Sequence, residues 1–342
     1  IKNGDISVLP TLDAALKRES IELVQAAFLV ARNAIQAKEG ETAARLAAIE
    51  QLSGIISKDI LVLLNGLTLE TNESNSEIRA AAANALKASS FKRKLSTGFE
   101  TLFFGLSLGS VLLLAAVGLA ITFGVMGVTN MAHGEMIMIG AYTTFVIQQI
   151  FPFAIEYSLL IAVPAAFLVS GIVGIIIERG VIRHLYGRPL ETLLATFGIS
   201  LILQQAVRSI FSPLNRSVIT PEWMSGAWEI NSALMLTYNR LTIIIFTIVL
   251  LGGLAALMRY SSFGLQMRAV TQNRRMASAM GVKTNWVDAL TFGFGSGIAG
   301  IAGVALSQLT NVGPNLGQQY IVDSFMVVVF GGVGNIWGTA LG

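Results

Sequence analysis

Residues 101–134 of this chain contain no Asp, Glu, Lys or Arg, and neither do 157–177, 192–207, 241–258, 289–322 or 324–342. Crossing a bilayer core of roughly 30 Å takes about 20 apolar residues of helix. Inside that core the backbone must satisfy its own hydrogen bonds, so runs of this kind predict membrane-spanning helices. We place them at 101–123, 131–151, 157–178, 190–210, 240–258 and 285–309, with a seventh starting near 321. Pro152, Pro189, Pro213, Pro221 and Pro314 all fall between these spans, where helix breakers belong.

The charges that the spans lack are concentrated elsewhere. Of the 43 acidic and basic side chains, 23 lie in residues 1–95. The expected fold class is therefore all-α: a polytopic transmembrane bundle over 96–342, preceded by a small soluble helical domain over 1–95. The chain opens on Ile1 and stops inside an apolar run at Ala340-Leu341-Gly342, so further sequence is expected at both ends. Without a cysteine there is no disulfide or thiolate chemistry. A net charge of +3, scattered along the chain, gives no footprint for nucleic acid.

Loop charges set the orientation. Arg179, Arg183 and Arg188 follow the third span, and Arg259, Arg268, Arg274, Arg275 and Lys283 follow the fifth. The opposite side carries Glu156, Glu222, Glu229 and Asp323 against Arg216 and Arg240. Basic loops stay in the cytoplasm, and counting back three spans places residues 1–95 outside it. The cluster Lys92-Arg93-Lys94 argues the other way, but it flanks a long domain, where the rule weakens.

Within the soluble domain, Ala44–Leu52 recurs in kind at Ile78–Leu86, an offset of 34 residues. Such a period fits a HEAT-like helical repeat pair, and alanine-rich helices of a plain bundle fit it as well. No cluster of catalytic residue types occurs there, so contact with a partner is its expected role.

The segment Asn130-Met131-Ala132-His133-Gly134-Glu135 sets an amide, an imidazole and a carboxylate at the start of an apolar span. Ionisable groups at membrane depth mark a pathway or a functional contact. Equally, Asn130 could cap the helix and Glu135 could face its positive end. His133 and Glu135 are two residues apart and do not share a helix face, which argues against a metal site. Gly331, Gly332 and Gly334, followed by Asn335, interrupt the last apolar run, either as a plain loop or as a broken helix beside a substrate cavity.

The loop from Gly264 to Lys283 is too long for a turn. Met267, Val270, Arg274 and Ala277 fall at helical spacing and Gly281 ends the run as a C-cap would, predicting one short amphipathic helix. It could lie on membrane lipid or dock into a cytoplasmic protein. Gly293, Gly295, Gly297, Gly300 and Gly303 are expected on one face of the sixth span, and Gly105 and Gly109 on one face of the first, as close helix contacts. Residues 295–300 formally match a dinucleotide fingerprint, but inside an apolar span the required strand is missing. No phosphate-binding loop occurs, so the chain itself is not expected to bind ATP or any other cofactor.

Gly105–Ser110, Gly118–Gly124 and Asn130–Glu135, with the loop ending Met276-Ala277-Ser278-Ala279-Met280-Gly281, closely resemble the branched-chain amino acid type of ABC transporter permease. The resemblance covers about residues 100–342. The N-terminal helical domain and the ending Phe330–Thr339 look most like the urea transporter permeases of that group. It implies that the loop is a coupling helix seated in a cytoplasmic ATPase, with Gly264, Arg268, Ala269, Gln272, Asn273, Arg274, Ala277 and Gly281 as its contact residues. Related permeases often carry acidic residues where Gln272 and Asn273 stand. A second related permease subunit and a periplasmic substrate-binding protein are the other implied partners.

The expected function is thus the inner-membrane permease subunit of an ATP-driven importer, not an enzyme, with urea as substrate. Branched-chain amino acids are the close alternative, and a stand-alone channel for small neutral solutes is the alternative of a different class.

Overall fold

The computed structural model describes residues 6–231, 234–332, 334 and 338–339. Asn335 lies outside the described residues. The chain divides into two compact units, Ile1–Phe103 with Trp228–Leu236, and Phe104–Ala227 with Thr237–Gly342.

The first unit holds α1 (Leu9–Arg18), α2 (Glu22–Lys38), α3 (Thr42–Leu52), α4 (Lys58–Thr68) and the first half of α5 (Ser76–Met126). Its core is small and aliphatic: Ala34 and Ala37 of α2, Ala48, Ile49 and Leu52 of α3, Ile60 and Leu64 of α4, and Ile78, Ala82 and Ala85 of α5. The two recurring segments occupy matching places, on α3 after α2 and on α5 after α4. Equivalent alanines, Ala48 and Ala82, are both buried. Equivalent arginines both donate to backbone carbonyls. Arg45 Nε binds Ala37 O at 3.1 Å, and Arg79 Nη1 binds Glu73 O and Ser74 O at 3.0 Å each. Arg45 also pairs with the Glu73 carboxylate. A two-stranded hairpin, β1 (Ala227–Asn231) and β2 (Leu234–Thr237), is the one sheet among the described residues.

The second unit is a helical bundle: the rest of α5, α6 (His133–Ile150), α7 (Ile155–Gly180), α8 (Pro189–Phe211), α9 (Tyr238–Tyr260), α10 (Ser262–Gln272), α11 (Arg274–Ala279), α12 (Thr284–Ser307) and α13 (Leu316–Gly331). Five described helices, α5, α7, α8, α9 and α12, are long and apolar enough to cross a membrane. At 16 residues α13 spans about 24 Å, short of a bilayer core. Leu168, Ile172 and Ile176 of α7, Leu194, Phe197 and Leu201 of α8, and Ile245, Ile248 and Val249 of α9 are exposed, an outer surface suited to lipid.

Helix α12 runs through the centre. From Thr291 to Ser307 every residue is buried apart from half-buried Phe294. Its glycines let neighbouring backbones touch it, but they do not share one face as expected. Residues two apart on a helix are rotated by about 200°, so the five glycines divide among three neighbours. A Cβ on Gly295 would lie 2.6 Å from Gly118 O of α5. Gly293, Gly297 and Gly300 press on α7, where a Cβ on Gly297 would meet Phe167 at 2.6 Å. A Cβ on Gly303 would lie 2.8 Å from Ala141 N of α6. By contrast, a Cβ on Gly105 or Gly109 would meet nothing within 4 Å, so these two glycines make no close helix contact among the described residues.

Candidate functional site: the α6 start and the α10–α11 elbow

The polar start of α6 is wholly buried. Asn130 Oδ1 accepts from Ala132 N at 3.0 Å, fixing the turn that leads into the helix at His133. His133 Nε2 sits 2.9 Å from Ala115 O of α5, while its Nδ1 is buried with no hydrogen-bond partner among the described residues. Glu135 turns the other way, towards α8. Its Oε1 accepts from Ser200 Oγ at 2.9 Å and Gln204 Nε2 at 2.7 Å, and its Oε2 is buried with no partner among the described residues. One turn back, Thr196 Oγ1 accepts from Met131 N at 3.1 Å. The structure thus sets Met131 and Glu135 against Thr196, Ser200 and Gln204, which with Thr192 form a buried stripe on α8. This stripe lies outside the residues selected from sequence, although polar residues four apart in an otherwise apolar helix are its visible signature.

A buried carboxylate with one satisfied and one bare oxygen is an acceptor held in an apolar surround. Burial without full pairing is costly, and the Ser200 and Gln204 donors offset part of that cost. Asn130 does not cap the helix as expected, since the N-cap is Ala132 with no side-chain bond; it braces the turn before it, and Glu135 keeps one oxygen without a partner among the described residues.

The glycine break lies elsewhere in the same unit. Helix α13 ends at Gly331, followed by Gly332 at φ +90° and Gly334 at φ +80°, conformations that favour glycine. A Cβ on Gly334 would come within 3.3 Å of Gly124 Cα on α5. Gly331, Gly332 and Gly334 are therefore not gathered with His133 and Glu135.

The loop after α9 differs from the single helix expected. It is an elbow of two helices, α10 and α11, broken at Asn273, whose backbone is extended at φ −155° and ψ 97°. Asn273 Oδ1 accepts from Met276 N at 3.0 Å and so caps α11. Gly281, at φ +89°, closes it: Gly281 N donates to Ser278 O and Val282 N to Ala277 O, both at 3.0 Å. Met267, Val270 and Ala277 are buried on the inner face, while Leu265, Met276 and Met280 are exposed. Ala277 therefore faces inward, and the outward apolar residues are its neighbours.

Each arm of the elbow is fastened to a different helix. On α10, Gly264 packs against the Met258 backbone near the end of α9, and the Arg268 guanidinium donates to Met258 O, an orphan carbonyl of that helix end. On α11, Arg274 forms a two-pronged pair with Asp288 at the start of α12, Nη1 to Oδ1 at 3.2 Å and Nη2 to Oδ2. The same guanidinium lies 5.0 Å over the Tyr186 ring, and Tyr186 OH donates to Glu178 Oε1 of α7 at 3.1 Å. Burial first, then the Asp288 and Glu178 carboxylates, push the Tyr186 phenol well above its ordinary range. Arg179 lies 4.5 Å over Trp286 of α12, a second link between α7 and α12. Asp288, Tyr186 and Glu178 were not singled out from sequence. A lone acid just before a charge-free run was the available sign. Beside the elbow, α5, α9 and α10 enclose an open cavity of about 680 Å³ lined by Ile121, Val125, Arg259, Arg268 and Gln272 among others.

Comparison with known proteins agrees with this architecture. A family profile described as branched-chain amino acid transport system / permease component matches residues 101–342. The chain is 32% identical over 253 residues to the high-affinity branched-chain amino acid transport system permease protein LivH of Escherichia coli K12, covering 71% of this chain and 82% of that protein. It is 30% identical, with the same coverage, to BraD of Pseudomonas aeruginosa. A probable LivH of Methanocaldococcus jannaschii is 26% identical over 237 residues, 68% of this chain and 74% of that protein. No solved structure matches.

Proposed function

The chain belongs to the permease family of branched-chain amino acid transport systems, and from that premise we propose that it is the membrane subunit of an ATP-driven importer whose ATPase seats on the α10–α11 elbow. The observation that carries this is the fastening of an exposed elbow, through Arg274 and Asp288, to the most deeply buried helix of the bundle. A stand-alone channel has no use for such a lever. The outward Leu265, Met276 and Met280 suit an apolar cleft in the ATPase better than water. A second permease and a periplasmic binding protein complete the assembly, and residues 1–95 lie in the periplasm, the side that loop charge and span parity favour.

For substrate, branched-chain amino acids follow the names of the relatives. Urea is the second candidate, supported by the helical N-terminal domain, which lies outside the matched residues 101–342. The test is uptake into proteoliposomes holding the complete transporter, with labelled leucine and labelled urea each competed by the other. ATP-dependent uptake should be abolished by Met276→Asp with Met280→Asp, while membrane insertion is unchanged. Unaltered uptake in that variant would refute docking at the elbow.

A further inference from the structure

Resting on that importer assignment, we infer that Arg274 and Asp288 are the positioning pair through which the elbow moves the centre of the bundle, and that Asn273 separates this arm from the other. The extended backbone at Asn273 breaks the helix between α10 and α11, so each arm has its own axis. Arm α10 is tied to the end of α9 by Arg268 and Gly264. Arm α11 is tied to α12 by the Arg274–Asp288 fork and, through the Tyr186 ring and hydroxyl, to Glu178 of α7. Asp288 is buried, whereas Arg274 is partly exposed at the elbow, so the pair spans from surface to core. Helix α12 then meets α5, α6 and α7 backbone to backbone at glycines, contacts that leave no side-chain slack to absorb a displacement. Movement of α11 therefore reaches the packed centre through a charged fork, whereas α10 is tied by hydrogen bond to α9 and meets α12 and α5 through the apolar packing of Met267 and Val270 with Ile298 and Ile121.

A purely structural ion pair makes a different prediction, because replacing both partners of a buried pair removes the destabilisation that comes from stranding one. In proteoliposomes with the complete transporter, solute taken up per ATP hydrolysed is measured for Arg274→Met, for Arg274→Met/Asp288→Asn, and for Arg274→Lys, which keeps the charge but not the fork. The exposed pair Arg188–Glu191 supplies the control, Arg188→Gln. The expected result is a ratio lowered about tenfold or more in Arg274→Met and in the double variant. A smaller loss is expected in Arg274→Lys, and none in the control. Recovery of the wild-type ratio in the double variant, or a wild-type ratio in Arg274→Lys, would overturn the proposal. Absence of ATP-dependent uptake by the wild-type assembly would instead refute the importer assignment, before any variant is compared.

Discussion

Gly140 of α6 and Gly300 of α12 meet so closely that a Cβ on Gly140 would lie 2.6 Å from Gly300 Cα. The obstacle is backbone, which cannot swing aside. Gly140→Ala should therefore destabilise the bundle by about 1–3 kcal/mol, the cost of overpacking a dense core. Gly105→Ala and Gly109→Ala, with open space around them, should stay within about 0.5 kcal/mol. Thermal unfolding of the purified protein in detergent checks all three.

Glu135→Gln keeps an oxygen for Ser200 and Gln204 but removes the bare carboxylate oxygen. The expected outcome is a folded protein whose uptake falls about tenfold, in line with a functional rather than structural charge. Glu135→Ala instead strands both donors and should cost about 1–3 kcal/mol of stability. Wild-type uptake in Glu135→Gln would confine the residue to packing.

In the first unit, the Glu73 carboxyl is held below its ordinary value of 4.5 by the Asn75 backbone N–H and then by Arg45. A depressed folded value means that its stabilising effect is complete above 4.5 and is lost as pH falls through the lower, folded value. Hydrogen exchange of residues 42–86, followed from pH 6 to about 3, should show protection failing in that window. Glu73→Gln should weaken protection at pH 6 and flatten the pH dependence.

Asn273→Ala removes the side-chain cap of a six-residue helix, a loss of about 1 kcal/mol. Asn273→Asp should keep it. Amide exchange across 274–279 in the two variants distinguishes them, with faster exchange expected only in the alanine variant.

The membrane body was readable because charge-free runs of sufficient length leave the backbone few alternatives, and α7, α8, α9 and α12 begin and end within a few residues of the expected spans. The elbow was half readable. Met267, Val270 and Ala277 keep one buried face whether or not the helix is broken between them, so periodicity cannot reveal the break. Asn273, a good cap residue inside the periodic stretch, was the local sign. The glycines of α12 showed that backbones approach, but spacing alone does not say which backbones. Partners of buried charges were out of reach because they are far apart in sequence: Glu135 finds Ser200 and Gln204 on a helix 65 or more residues away.

The centre of the bundle also limits how this protein can diversify. At Gly293, Gly295, Gly297, Gly300 and Gly303 the side chain is already the smallest there is, so every mutation at these sites adds bulk against a fixed neighbour. The middle of α12 is an evolutionary dead end in all directions. Change at lower cost is left to the outer helices, such as α8, where Leu194, Phe197 and Leu201 face outward with room around them.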